Sequence, residues 1–496
     1  MQLQATIWTL LPPVIAIALA LITKEVYSSL LIGILSGALL YTGFSPLSAV
    51  ETTFGIMGGK IGDNANILIF LVLLGILVAL VTKSGASRAY GEWAARRITS
   101  RRGALLATSA LGALIFVDDY FNCLTVGTVM RPVTDKYRVT RAKLAYIIDA
   151  TAAPVCIIAP ISSWAAAVGS SMPEGANIDG FSLFLRTIPY NLYALLTLGF
   201  IIWLMLWDKD IFAMKHYQDE LGGRSDSINV ENHIVGGMGQ VKDLVVPILF
   251  LIGSCIAAMM YTGGILDGVG IVQAFADCDS SASLVLGSFF TLVFTFIMYV
   301  PRGILTFGQF CESFTEGFKA MVPAIMILCL AWTLSGVCSG DYLNIGGFVD
   351  SVVRGNATII RLMPAIFFAV ALGLAFATGT SWGTFGILIP IAVVVFQNQV
   401  SELLVVTVAA CLAGAVCGDH ISPISDTTIL ASAGAQCNHI DHVSTQIPYA
   451  LSVAAMSFCG YLVAGFTGSG WTGLAVGVVL LIAFAAVTVA RTRKAS

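Results

Sequence analysis

The chain has 496 residues, of which 57% are hydrophobic and only 11% charged, with a formal net charge of −3. Soluble domains carry roughly 25% charged residues, so a soluble globular protein is excluded, and with no basic tract or aromatic–basic patch there is no sign of a nucleic-acid partner. Most of the 11 cysteines lie within apolar runs as small hydrophobes, so no disulfide framework is implied, although Cys278 and Cys338 are expected near one membrane face.

Repeated apolar runs of about 16 to 20 residues predict an all-α polytopic membrane protein embedded in the lipid bilayer. Eleven spans are expected, at 7–23, 26–43, 66–83, 143–171, 188–207, 243–262, 283–300, 319–338, 403–435, 446–466 and 471–490. The first run contains Pro12-Pro13, lacks a basic flank and a small-residue cleavage site, and reads as a retained span rather than a signal peptide. Two further stretches, 103–133 and 361–398, are each a pair of short arms around a polar tip. The tips are Asp118-Asp119-Tyr120-Phe121-Asn122 and Thr378-Gly379-Thr380-Ser381. Arms of about 14 residues give ~21 Å of helix, short of the ~30 Å hydrocarbon core, so both are expected to be re-entrant hairpins.

Charge placement sets the orientation. Lys83, Arg88, Arg96, Arg97, Arg101 and Arg102 precede the first hairpin, and Arg131, Lys136, Arg138, Arg141 and Lys143 follow it. Both flanks are therefore expected on the cytoplasmic side. Residues 263–282 carry three Asp and no Lys or Arg, as an outside loop does, and the tail ends Arg491, Arg493, Lys494. The N-terminus is expected outside, the C-terminus inside, and the plasma (inner) membrane is the expected location.

Short motifs recur in the same order. Glu51…Gly58-Gly59-Lys60 matches Glu312…Gly317-Phe318-Lys319; Thr125-Val126-Gly127 before Pro132 matches Thr384-Phe385-Gly386 before Pro390; Ala159-Pro160-Ile161-Ser162-Ser163 matches Ser422-Pro423-Ile424-Ser425-Asp426. The expected halves are 1–207 and 243–466, joined by a cytoplasmic linker at 208–242 and followed by a final span and basic tail at 467–496. Five spans in each half is an odd number, so the second half is expected to be inverted. Inverted repeats with broken helices near the midplane are the architecture of secondary transporters.

Within this plan the most polar buried stretch is Cys417 to Ala433, CGDHISPISDTTILASA. An Asp or His at mid-membrane costs at least ~2.5 kcal/mol and normally faces a partner, a cavity or a cargo. Pro423 removes a helix hydrogen bond and frees carbonyls, which a lipid-facing helix does not tolerate. A broken helix lining a polar cavity is expected here, and a second one around Pro160. The acids at membrane depth are Asp118, Asp119, Asp149, Asp419 and Asp426, with no Lys or Arg among them. That excess points to a cationic cargo, with one carboxylate alternating between cation and proton. Ser162, Ser163, Ser422, Ser425 and Thr427 add hydroxyl oxygens of the kind a hard cation prefers, and Na⁺ is assigned to Ser162, Ser163, Ser425 and Asp426. Asp119 and Asn122 are expected to approach Asp426 or Asp419, with Thr125, Thr378, Thr380 and Ser381 as further hairpin contacts. Asp149, six residues past Lys143, reads equally as an interfacial ion pair or a ligand.

Three patterns compete with this reading. Gly379-Thr380-Ser381-Trp382-Gly383 fits G-x-S-x-G, but that motif needs a strand–turn–helix in an α/β sheet, which leaves an intramembrane hydrolase a distant alternative. Cys437-Asn438-His439-Ile440-Asp441-His442 has no standard metal-ligand spacing and reads as a polar cytoplasmic loop. His420 reads either as a proton relay or as a hydrogen-bonded structural residue.

At these residues the chain resembles the NhaC-type Na⁺/H⁺ antiporter family. Similarity lies in GDHISPISDTT (418–428) followed by Gln446-Ile447-Pro448-Tyr449, in FVDDYFN (116–122) and in TAAPVCIIAPISSW (151–164). The resemblance implies a non-enzymatic secondary transporter without a cofactor, Na⁺ and H⁺ as coupling ions, elevator-like alternating access and often a homodimer. It leaves the cargo open between Na⁺/H⁺ antiport and coupled transport of a small organic solute such as a carboxylate or amino acid.

Overall fold

The computed structural model describes residues 5–23, 25–173, 179–221, 238–276, 278–345, 347–348, 357–396 and 401–495. Among them the regular structure is helical, with no strand. Eight helices are long and apolar enough to cross a membrane, or ten if each of two bent pairs is one span. Four of the eleven expected spans fall short as single helices, 26–43 and 319–338 among them because they pass only as parts of the two bent pairs. Leu11–Thr23 has 13 residues, about 20 Å, and 143–171 is interrupted between Arg141–Cys156 and Ser163–Ser170.

Several helices were not foreseen, Pro46–Asp63 the longest among them. Pro46–Asp63 turns 118° away from Tyr27–Tyr41, after a corner at Gly43 and Phe44, both at φ 65°. Its buried residues Ala49, Thr53 and Ile56 form a single stripe, so only one face packs inward. Phe307–Cys338 is one helix bent by 42° at Pro323, where the missing N–H releases a backbone bond.

Both hairpins exist as helix–turn–helix pairs, Arg101–Leu114 with Asp119–Lys136 and Ala357–Thr378 with Ser381–Val395. The chain reverses at the first tip: the Asn122 amide donates to the carbonyls of Gly112 (2.7 Å) and Ile115 (3.0 Å). Gly379 turns the second tip at φ +66°, a left-handed conformation that glycine adopts without a Cβ penalty. The arms are not uniformly short, however. They run to 14, 18, 22 and 15 residues, because the helices continue through polar flanks such as Arg361. Ala357–Thr378 is long enough to cross on its own, so arm length does not make this hairpin re-entrant.

The two breaks share one local cause. Each long arm ends (Arg141–Cys156, Glu402–Ile421), a proline follows, and a short helix restarts after a serine (Ser163–Ser170, Asp426–Ala435). Ser162 Oγ accepts from the Ala165 N–H at 3.2 Å, and Ser425 Oγ accepts from the Thr428 N–H at 3.2 Å. Both serines are helix N-caps that satisfy an orphan donor.

Packing sorts the helices into two groups. One holds Leu11–Thr23, Val26–Tyr41, Pro46–Asp63, Ala65–Ser84, Val241–Thr262, Ser280–Tyr299 and Phe307–Cys338; the other holds the hairpins, the broken helices, Leu192–Trp207, His439–Thr467 and Gly470–Ala495. Within the second group the contacts are reciprocal. Arm Asp119–Lys136 packs on the short helix Asp426–Ala435, and arm Ser381–Val395 packs on the short helix Ser163–Ser170. The first contact is backbone to backbone: a Cβ on Gly127 would lie 2.4 Å from the Gly434 carbonyl carbon. The second is aromatic, with Trp164 5.5 Å from Phe385 and 6.1 Å from Trp382 between ring centres.

The segment joining the halves is more than a free linker. It opens with helix Phe212–Leu221, fastened by the Lys143–Asp210 ion pair, by Tyr449 OH to Asp210 at 3.1 Å and by Tyr217 OH to Asp441 at 3.3 Å. Residues 222–237 lie outside the described part.

Candidate functional site

The second break carries the acid that the hairpin reads. Asp419 lies in the last turn of Glu402–Ile421 and is buried. Its Oδ2 accepts from Ser381 Oγ at 2.8 Å and from Thr427 Oγ1 at 3.5 Å. Ser381 opens the second arm of the hairpin and also donates to the Ala415 carbonyl. Ser422 Oγ donates back to the Phe376 carbonyl at 2.7 Å, so tip and break are stitched in both directions. Thr427 and Ser425 share a hydroxyl contact of 3.0 Å. Asp426 is the first residue of the short helix; its side chain lies outside the described residues.

The first break is built alike but without the acid. The Ser163 N–H donates to the Val117 carbonyl at the first hairpin tip at 2.9 Å. Ser162 Oγ donates to the Cys156 carbonyl at 2.8 Å while capping Ala165, so Ser162 and Ser425 each serve their own break. Pro160 is exposed, whereas Asp118, Asp119, Asn122, Thr125, Ser162 and Ser163 are buried. Asn122 does not reach across to Asp419. Its amide is taken by the Gly112 and Ile115 carbonyls, which the tight hairpin turn leaves unpaired, and also lies 3.5 Å from the Thr151 carbonyl on the neighbouring helix. Thr378 is likewise bonded back to Leu374 within its helix.

Asp149 gathers polar groups from three other helices at the second break. Fully buried, it accepts from Gln446 Nε2 at 2.6 Å and from Thr428 Oγ1 at 3.1 Å. His442 Nε2 stands 3.5 Å from its Oδ2 and His420 Nε2 4.0 Å from its Oδ1. Gln446 also donates to the His420 carbonyl at 2.6 Å, and His420 Nδ1 meets Tyr193 OH at 3.1 Å. The ion pair with Lys143 does not form, because Lys143 turns to Asp210. The sequence reading placed His442 in a polar loop and Gln446 in the family resemblance, and assigned neither to the site. Residues 439–442 are not a loop but the first turn of helix His439–Thr467, which places His442 and Gln446 one turn apart on one buried face. That four-residue spacing was the available signal. His439 is used locally, donating Nε2–H to the Pro423 carbonyl at 2.7 Å.

The hydrolase alternative fails on geometry. Ser381 starts a helix that follows another helix, and its hydroxyl is bonded to Asp419 and the Ala415 carbonyl. The cap geometry carries a prediction of its own. Ser162→Ala and Ser425→Ala each remove a helix cap, worth about 0.5–2 kcal/mol. Each is expected to lower the melting temperature in detergent and to weaken apparent sodium affinity while leaving a measurable maximal rate. Unchanged sodium dependence in both variants would make the breaks purely structural.

Comparison with known proteins gives a consistent picture. A model of the Na⁺/H⁺ antiporter family matches residues 165–466. The chain is 40% identical to an uncharacterized protein of Haemophilus influenzae, over 97% of this chain and 95% of that one. It is 26% identical to a malate-2H⁺/Na⁺-lactate antiporter of Bacillus subtilis, over 38% of this chain and 43% of the relative. It is also 36% identical to an arginine/ornithine antiporter of Halobacterium salinarum, over 25% of this chain and 27% of the relative.

Proposed function

This chain belongs to the Na⁺/H⁺ antiporter family, and from that premise we propose that it exchanges Na⁺ for H⁺ by alternating access of its hairpin-bearing helix group. A member of an antiporter family is a secondary transporter of the membrane and not an enzyme. The observation that carries the reading is the Ser381–Asp419 bond, by which a hairpin tip holds a buried carboxylate beside interrupted helix ends. Charged groups at this depth belong to ion pathways, and broken helices are where coupling ions bind.

In this proposal Asp419 and Asp426 hold the cation with Ser425, Thr427 and freed carbonyls. Ser422, Thr378, Thr380 and Ser381 set the hairpin that closes on it, and His420 braces the long arm. The counterpart in the first half comprises Asp118, Asp119, Asn122, Thr125, Pro160, Ser162 and Ser163. The halves 1–207 and 243–466 are inverted repeats, supported by the shared motif order and the reciprocal hairpin contacts. The second helix group moves as an elevator against the first. The protein sits in the plasma membrane as a homodimer, N-terminus outside and C-terminus cytoplasmic.

Reconstitution in liposomes tests the exchange: an imposed sodium gradient is expected to move protons the opposite way, and proton movement indifferent to sodium would sink the reading. The orientation has a separate test. Single cysteines near Arg101 and Lys136 are expected to label from the cytoplasmic side, and those near Asn356 and Ser401 from outside. Opposite-sided labelling at the two ends of either hairpin would make that hairpin a full crossing.

A second reading, exchange of a small organic solute, has one observation in its favour. The indole N–H groups of Trp164 and Trp382 and the hydroxyls of Ser163 and Thr380 are buried with no hydrogen-bond partner, a donor-rich set suited to the acceptor oxygens of a solute. Radiolabelled malate, lactate and arginine, offered singly in counterflow, decide it.

A further inference from the structure

We propose that Asp149 and His442 form the site on which the transported proton rides, separate from the cation site at the second break. This inference rests on the antiport reading and replaces the expectation that one carboxylate alternates between cation and proton.

The chemistry of the cluster distinguishes the two ions. Around Asp149 stand two imidazoles, an amide and a hydroxyl. An imidazole exchanges protons near neutral pH, and an opposite charge beside it favours the protonated ring, whereas Na⁺ prefers a shell of oxygens. No set of three or more His, Cys, Asp or Glu among the described residues is arranged to hold a metal ion. Meanwhile Asp149 Oδ1 and His442 Nδ1 are buried without a hydrogen-bond partner, and His442 Nε2 faces the Asp149 carboxylate at 3.5 Å. A buried polar atom left so is costly, and the two beside this close contact mark a place where a proton changes the energy most. One proton between an ionised Asp149 and His442 makes a neutral pair; its loss to water leaves one buried negative charge, which disfavours that state until the helices shift.

Every neighbouring element leaves this role open. Asp149 is faced by His442 and Gln446 of His439–Thr467, by His420 of Glu402–Ile421, by Thr428 of Asp426–Ala435 and by Cys123 of the first hairpin. Tyr146 lies one turn earlier on its own helix, and Tyr193 is linked through His420. The nearby cations are engaged elsewhere, Lys143 with Asp210 and Arg141 with Asp135. The position also supplies coupling. Asp149 accepts from Thr428 on the short arm and from Gln446, which holds the His420 carbonyl at the end of the long arm. Both sides of the cation-bearing break therefore report to the carboxylate that carries the proton.

The test uses the full chain in liposomes and compares two modes. Sodium–sodium counterflow at equal pH needs no proton; sodium-driven proton movement does. Asp149→Asn keeps the shape and an acceptor oxygen, and His442→Gln keeps polarity. Each is expected to retain measurable counterflow, with a shifted sodium affinity because Asp149 also holds Thr428 and Gln446, and to lose proton movement, while Asp149→Glu regains it with a displaced pH profile. Parental proton movement and pH profile in either neutralised variant would overturn the proposal. So would joint loss of both modes in a variant that elutes as folded protein. Absence of both modes in the parent would instead remove the antiport reading itself.

Discussion

Asp426→Asn is expected to abolish sodium-driven proton movement and sodium–sodium counterflow together in reconstituted liposomes, with the protein still folded. Asparagine keeps the size of the side chain but carries no charge, so the first residue of the short helix no longer attracts a cation. The neighbouring change is graded. Asp419→Asn retains an oxygen for Ser381 and Thr427 but weakens both bonds; hydrogen bonds to a charged group are worth about 1.5–3 kcal/mol, so apparent sodium affinity is expected to fall about 10- to 100-fold. Sodium titration of both transport modes measures this. The pattern differs from that of Asp149→Asn, where counterflow survives, so the two sites are separable by one pair of assays. Parental sodium affinity in both Asp426→Asn and Asp419→Asn would place the cation elsewhere.

Gly127→Ala is expected to push the first hairpin away from the short helix Asp426–Ala435. The added Cβ would meet backbone atoms of Gly434 at 2.4–2.8 Å, and a Cβ on Gly434 would meet the Cys123 carbonyl oxygen at 2.6 Å. Backbone does not step aside as a flexible side chain does, so the arm and the short helix must separate. Overpacking of this kind costs about 1–3 kcal/mol. A drop in thermal stability in detergent, with reduced transport, is the expected outcome. Gly253→Ala is the control, because nothing lies within 4 Å of its added carbon. Equal stability of the two variants would show that the hairpin and the short helix are not held against each other in the membrane.

Much of this was legible in the residues themselves. The apolar runs, the two prolines followed by serine and the polar hairpin tips are local signals, and they mark helices, breaks and turns wherever they occur. Asp419 and Ser381 were both singled out on such grounds, and were set together only as imagined partners in the hydrolase alternative. Asn122 was expected to approach Asp419 or Asp426, whereas its amide serves carbonyls at its own hairpin turn.

By itself, then, the sequence determined the all-α membrane architecture, the positions of both breaks and the acid-rich character of the second. Hydropathy, proline and capping act within a few residues of where they stand. Only the tertiary structure decided which polar groups meet. Asp149 and Gln446 are 297 residues apart, and although Asp149 stands out as an acid at membrane depth, nothing in its own segment points to Gln446. Their partnership exists because an unpaired carboxylate inside a bundle must find donors on whichever helices pack against it. That choice follows from helix packing, which for Asp149 set His442, Gln446 and Thr428 around the carboxylate and left Lys143 to Asp210.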